Sequence, residues 1–367
     1  MVYQYPVQGA GLGLRRSLCG PLSSVSPEQV QFMEVAPENW INVGGRYGAA
    51  LRSYTEKFPF VMHGLSLSIG SPSGLDWDLL RSIKTFIAEH SIRCYSEHLS
   101  YCSDSGHLYD LMPIPFTEEA IDYVAERIIQ IQDFLGQRIA MENVSYYAAP
   151  QQEMSEIEFL NAVLNKADCN LLLDVNNIFV NSINHRYDPY DFLKALPGER
   201  IAYGHIAGHF EEAEDLRVDT HGADVIDPVW QLLDAAYAQF GVFPTLLERD
   251  FNIPPVDELL MEVDQIRGYQ RKYDKIEQGD PQSLRKPTQL EKVLEKNFRL
   301  RLSLPFNGLS LSSPHISETP KPIRRLKVSK IAVWKSIEAY FLIISKLLLP
   351  MASQSLSPSL TQNDGPQ

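Results

Sequence analysis

The sequence predicts an α/β protein built as a (β/α)8 barrel, and three observations carry that expectation. Short apolar runs separated by helix-like segments alternate over roughly 250 residues, the span of such a barrel. The runs end near Leu14, Val35, Leu67, Leu99, Val144, Asn176, Ala207 and Glu248, the number of strands that a closed parallel barrel requires. Within or beside these runs a carboxylate or imidazole recurs at the exit, where this fold places its chemistry: His63 in VMHG, His98 in SEHLSY, Glu142 in AMENVS, Asp174 in LLLDVNN, His205 in YGHIAGH and Glu248 in TLLERD.

Between the strands, helices are expected at Pro27–Gln31, Asp76–His90, Glu118–Leu135, Ser155–Lys166, Tyr190–Leu196 and Pro228–Phe240. Ser26 before Pro27, Thr117 before Glu118 and Asp227 before Pro228 supply caps or first-turn residues. A doubly wound open sheet is the alternative, but it gathers ligands at one switch point and shows a glycine-rich phosphate turn. GAGLGLR at Gly9–Arg15 only partly mimics that turn, because Leu14 stands where GxGxxG needs its last glycine.

The barrel, with its metal chemistry, is expected over residues 1–272, followed by a C-terminal extension over 273–367. That extension is rich in Ser, Pro, Lys and Arg, and its end, SQSLSPSLTQNDGPQ, reads as disordered. Within it, the apolar segment 331–350 is interrupted by Lys335, Glu338 and Lys346. Those charges argue against a membrane span and favour an amphipathic helix for a partner, a second copy or a membrane surface.

A hydrophobic content of 44% with 22% charged residues suits one large domain plus an appendage. The net charge of -13 argues against a general nucleic-acid binder. Cys19, Cys94, Cys102 and Cys169 show no CxxC spacing, so neither a disulfide framework nor a thiolate metal site is expected. The N-terminus lacks a signal-peptide pattern, and a cytoplasmic location is expected.

A buried ionisable group is costly unless it is paired, hydrogen-bonded or metal-bound. Carboxylates delivered to one rim repel each other unless cations lie between them, so a multinuclear metal site is the first hypothesis. Taken singly, His63 and His98 read first as hydrogen-bonded structural histidines, with Glu97 on the opposite strand face as a barrel-stabilising partner. Glu142 and Glu248 have no neighbouring lysine, and Asp174 after LLL is hard to place on a surface. Asn176 shares the face of Asp174 by strand alternation, while Asn177 falls at the strand exit and reaches the rim from the loop. His205 and His209 have helical spacing, but Gly204 and Gly208 favour a strand with only His205 at the mouth. Asp219 and His221 in DTHG share one face of an extended loop and suit one ion. The donors are oxygen and nitrogen without sulfur, a set matched to iron, manganese or zinc.

Together GLGLR, EVAPENW, HGLSLSIGS, SEHLSY, ENVSYY, LLLDVNNIFVNSINH, HIAGH, DTHG and LLERDFNIP, in that order, resemble the multinuclear non-heme iron oxygenase-like family. Its best-known members modify cysteines of ribosomally made precursor peptides, as in methanobactin biosynthesis. The resemblance runs from about Gly9 to Pro255 and implies a barrel of the xylose-isomerase type carrying two or three irons, with dioxygen as co-substrate. By motif, it implies one iron on His63, His98, Glu142 and Glu248, and a second among Glu142, Asp174, His205 and Glu248. Asp219, His221 and Asn177 would hold a third, more labile ion. Arg249, Asp250, His209 and Asn143 are candidates for orienting ligands or substrate, the first three also for catalysis. The resemblance further implies a cysteine-containing precursor peptide as substrate and a separate leader-recognition protein as partner. Two other readings use the same residues: a metal-dependent isomerase or hydrolase, and a non-enzymatic metal-binding or scaffold protein.

Overall fold

The computed structural model describes residues 5–103, 106–148 and 151–277. In chain order it comprises β1 (Ala10–Gly13), β2 (Phe32–Val35), the single turn α1 (Pro37–Trp40), α2 (Gly45–Thr55), β3 (Phe60–Gly64), α3 (Trp77–His90) and β4 (Tyr95–His98). A hairpin of β5 (Ser100–Ser103) and β6 (His107–Pro113) precedes α4 (Glu118–Leu135), β7 (Ala140–Glu142), α5 (Glu156–Ala167), β8 (Asn170–Asp174), α6 (Val175–His185) and α7 (Pro189–Lys194). Then come β9 (Ile201–Ala207), a second hairpin of β10 (Phe210–Ala213) and β11 (Leu216–Val218), α8 (Asp227–Phe240), β12 (Thr245–Glu248) and α9 (Val256–Glu277). β1, β2, β3, β4, β7, β8, β9 and β12 close into a barrel with every pairing parallel. The expected (β/α)8 class is therefore the observed one.

Strand alternation divides the core into two parts. Outward residues such as Leu12, Met33, Met62, Tyr95, Met141 and Leu247 pack in the larger cluster with the helices. Inward, Phe32, Val61, Cys94, Ala140, Leu172, Tyr203 and Leu246 form a separate apolar layer. Burying such a side chain stabilises by about 1.5–3 kcal/mol. Two residues further along, the same alternation must point Glu34, His63, Ser96, Glu142, Asp174, His205 and Glu248 into the barrel above that layer. All of these are buried. In the apolar layer β1 contributes Gly11 for a steric reason: a Cβ there would lie 2.6 Å from the Phe32 ring.

Several helices begin on side chains that accept otherwise unpaired amides, each cap contributing about 1 kcal/mol. Asp76 accepts from Asp78 and Leu79, Thr117 from Ala120, and Ser155 forms a reciprocal capping box with Glu158. Other boundaries differ from expectation. Residues 27–29 form a turn and 27–31 no helix, a run too short to recover the cost of helix nucleation. Asp227 is the first residue of α8, and Ile226 precedes it without a side-chain cap. β3 ends at Gly64, not near Leu67.

The most consequential difference is at β8, which stops at Asp174. The Asp174 carboxylate accepts the Asn177 amide and starts α6, so the first helical turn holds Asn176, expected on the strand, and Asn177, expected in the loop at its exit. α9 runs through Glu277, past the expected boundary at 272. The chain divides into Met1–Asp280 and Pro281–Gln367, and the second unit, including segment 331–350, lies outside the described residues. Cys19, Cys94, Cys102 and Cys169 are free thiols. Among the described residues, no helix is long and apolar enough to cross a membrane.

Candidate metal centre

At the ends of β3, β4 and β7, His63 Nε2 and His98 Nε2 lie 3.1 Å apart and 3.3 and 3.2 Å from Glu142 Oε2. His98 Nδ1 donates to the Gly64 carbonyl at 2.8 Å, which turns its Nε2 toward the other two side chains. His63 Nδ1 is 2.8 Å from Ser96 Oγ.

His205 joins this group to the next. Its Nδ1 is 3.5 Å from Glu142 Oε1, 3.1 Å from Glu248 Oε2 and 3.9 Å from Asp174 Oδ2. His221, in the loop between β11 and α8, adopts a left-handed φ of 50°. Its Nδ1 lies 3.5 Å from Glu248 Oε2 and 3.2 Å from Asp250 Oδ2, while Nε2 lies 2.8 Å from Asp219 Oδ1. Asp219 is held by Ser145 Oγ at 3.1 Å and Asn176 Nδ2 at 2.9 Å, and its amide donates to Tyr147 Oη.

Whether these residues fit metal ions can be judged from their unsatisfied atoms. Glu142 Oε2, Asp174 Oδ2, Asn177 Oδ1, His205 Nδ1 and His221 Nε2 are buried and have no hydrogen-bond partner. Several lie within ion-pair distance of one another but are not aligned for hydrogen bonds. A buried unpaired polar atom costs about 1–3 kcal/mol, and these five belong to one neighbourhood. Three donor groups have ligand atoms mutually within 4.8 Å: His63 with Glu142 and His205, Glu34 with His205 and Glu248, and Asp174 with His221 and Glu248. Convergent imidazole and carboxylate donors of this kind fit hard or borderline divalent ions.

The electrostatics point the same way. Burial pushes the Glu142 carboxyl up, but His98 and His63 outweigh it and hold Glu142 well below the usual carboxylate range. Burial likewise acts against ionised Glu248, which His221 and His205 nonetheless hold far down. Burial, then Glu142 and Asp219, push Asp174 far up. For His63, His205 and His221, burial opposes the charged form, yet neighbouring carboxylates raise all three. The carboxylates thus favour protonated imidazoles here, the positive charge that ions would otherwise provide.

The structure thus brings His63, His98, Glu142, Asp174, His205, Asp219, His221 and Glu248 to one end of the barrel, with Asn177 at the start of α6. Asn143 follows the end of β7, and its side chain exchanges two hydrogen bonds with the Asp174 backbone, at 2.8 and 2.9 Å. His209 is buried against Phe179 and bonds Asn176 Oδ1 at 2.7 Å. Asp250 stands at the rim between Arg15 and His221. Arg249, one residue past Glu248, turns away from the donors, and its guanidinium is paired with Asp224 and Glu262.

Two functional candidates were not found by sequence reasoning. Glu34, buried on β2, accepts from His205 Nε2 at 3.0 Å and Tyr203 Oη at 2.7 Å. Its signal was the alternation with inward Phe32, two positions earlier. Arg15, in GLGLR, reaches Glu248 Oε1 at 3.1 Å and also pairs with Asp250. Only the folded barrel shows that pairing, across more than two hundred residues of chain.

Fold and site together define a (β/α)8 barrel with a ring of candidate metal ligands at the C-terminal ends of its strands. The chain belongs to the RiPP precursor modification enzyme family MbnB/TglH/ChrH, whose family model matches residues 9–271. A UPF0276 protein of Alcanivorax borkumensis is 64% identical over 283 residues, covering 74% of this chain and 95% of that protein. A UPF0276 protein of Pseudomonas aeruginosa, PA3283, is 55% identical over 266 residues, covering 72% of this chain and 94% of its own. Among solved structures, endonuclease IV from Thermus thermophilus is similar at 15% identity with a TM-score of 0.48, over 72% of this chain and 100% of that one.

Proposed function

We propose that this protein is an iron-dependent oxidative enzyme that acts on cysteine residues of a ribosomally synthesised precursor peptide, with dioxygen as co-substrate. The family supports a precursor peptide as substrate. The observation that carries the metal part is the group of five buried, unsatisfied donor atoms around Glu142, Asp174 and His221. His63, His98 and Glu142 Oε2 would hold one ion. Glu142 Oε1, His205, Asp174 and Glu248 would hold a second, and Asp219, His221 and Asn177 a third. Glu248, which the motifs also assign to the first ion, has ion-pair contacts with Arg15, His205 and His221.

Iron bound here would supply one-electron chemistry with dioxygen and an open position for a thiolate. The chain's own residues set the conditions. Arg15 holds Glu248 Oε1, leaving Oε2 to face His205 and His221. Asp250, partly exposed and hydrogen-bonded to His221 Nδ1, is placed to take the proton of an entering thiol. Phe251 beside it is 65% exposed and offers an apolar contact to a peptide. A separate leader-recognition protein completes this reading, with segment 331–350 as a candidate contact.

The test is to purify the protein anaerobically, measure metals per chain and iron valence by Mössbauer spectroscopy, and follow oxygen uptake with cysteine-containing peptides. About two or three irons per chain and uptake that requires the cysteine are expected. Zinc or manganese that persists after iron supplementation, with no oxygen consumed, would move the assignment to hydrolysis or isomerisation.

A further inference from the structure

We infer that Glu34 is a positioning residue for two imidazoles of the donor ring: through one buried hydrogen-bonded relay it decides which nitrogen of His63 and of His205 carries the proton. This rests on the metal reading of the site and extends it to the residues beneath. The relay runs from His205 Nε2 to Glu34 Oε2 at 3.0 Å, then to Tyr203 Oη at 2.7 Å, Ser96 Oγ at 2.8 Å and His63 Nδ1 at 2.8 Å. All five residues are buried, Ser96, Tyr203 and His205 completely.

The direction of each bond follows from what each group can do. The Glu34 carboxylate only accepts, so His205 Nε2–H and the Tyr203 hydroxyl both donate to it. With its hydrogen committed, the Tyr203 oxygen accepts from Ser96. Ser96 has another acceptor, the Met62 carbonyl, but at the longer distance of 3.3 Å. With its own hydrogen directed to Tyr203, the Ser96 oxygen accepts from His63 Nδ1–H. Both imidazoles are thereby left with lone pairs on the nitrogens that face Glu142, namely His63 Nε2 and His205 Nδ1. Metal-binding imidazoles need this arrangement, the proton on one nitrogen held by an acceptor and the other nitrogen free.

The topology explains why one carboxylate can serve both. Glu34 on β2 and His205 on β9 are separated around the barrel by β1 and β12, so they meet across its interior. At this level β1 contributes Gly13, the register partner of Glu34, so it places no side chain in the crossing.

The relay is tested on the full-length protein loaded with Zn2+, which is diamagnetic. Histidine tautomers are read by long-range 1H–15N NMR with 15N-histidine labelling, and Zn2+ affinity by chelator competition. The wild type should show His63 protonated on Nδ1 and His205 on Nε2. Tyr203→Phe and Ser96→Ala should each weaken the ion held by His63, His98 and Glu142 by about 10- to 100-fold while sparing the ion at His205. Glu34→Gln should weaken both. Tyr203→Phe keeps the ring, so if Glu34→Gln fails to fold the other two variants still decide. A wild type that takes up no ion overturns the metal reading, and the positioning role with it. Normal wild-type uptake with unchanged affinity in Tyr203→Phe and Ser96→Ala, or a His205 proton on Nδ1, overturns the relay alone.

Discussion

His63 and His98 face each other Nε2 to Nε2 at 3.1 Å, and both nitrogens approach the same oxygen of Glu142. The Nδ1 of each ring is engaged elsewhere, with Ser96 and with the Gly64 carbonyl. Three lone-pair atoms therefore share one small space, an arrangement that requires positive charge among them. The charge is either a proton or a metal ion, and the two must compete.

That competition fixes a pH dependence. Burial opposes protonation of His63, but Glu142 outweighs it and raises the imidazole above its ordinary value; His205 is raised likewise by Glu34 and Glu248. Metal binding must then release protons, so affinity rises with pH and falls with acid. Between about pH 6 and 8, titration of the metal-free protein with Zn2+ should show up to about tenfold tighter binding per pH unit for each proton released. A flat profile would contradict the shared site.

Glu142 meets three imidazoles and so couples two of the proposed ions. Glu142→Gln should lower the metal content by at least one ion per chain and remove most of the metal-dependent rise in melting temperature. At a metal concentration of about 1,000 times Kd, that rise corresponds to about 4 kcal/mol in the wild type. Glu248→Ala should also lose an ion. Unchanged metal content in both variants would refute the assignment.

Asp219 pairs with His221 and is also held by Ser145, Asn176 and Tyr147. Asp219→Ala should empty the third position and leave the ion at His63 and His98 in place. Metal analysis after dialysis against a weak chelator reads this directly. Loss of every ion would show that the positions do not fill independently.

Away from the centre, Glu156 begins α5, with its carboxyl enclosed and accepting from Asn181 at 3.2 Å. Burial pushes it from 4.5 up to about 8. A folded-state value above the unfolded one means that the folded chain holds the proton longer. The contribution is fully present below about pH 4.5 and is lost as pH rises to about 8, with a slope of at most ~1.4 kcal/mol per pH unit. Chelator-treated Glu156→Gln should lose this segment of the stability profile relative to the wild type. Parallel profiles would contradict the placement.

The barrel and most of the candidate donors are legible because strand alternation and the apolar-to-polar change at strand ends coincide. Inward positions alternate along a strand, and Val61–His63, Ala140–Glu142, Leu172–Asp174 and Leu246–Glu248 each change from apolar to polar in one step of two. Glu34 follows the same rule after Phe32, but EVAPENW marks its strand end at Val35, so the carboxylate did not stand out as terminal. α6 was misread because LLLDVNN continues the apolar strand in composition, and only the Asp174 side chain accepting the Asn177 amide stops it. α2 begins at Gly45 after Gly44 and has no side-chain cap, which removes its start signal. The pairing of Arg15 with Glu248 depends on β1 lying beside β12, a closure that no local pattern carries.

The most direct test of the polynuclear centre is anomalous diffraction at the iron absorption edge from crystals of anaerobically purified protein. Two or more peaks are expected at the C-terminal ends of the strands, one bounded by His63, His98 and Glu142 and another by His205, Asp174 and Glu248. A single peak elsewhere, or an iron-loaded protein whose donors remain paired only with one another, would contradict the account.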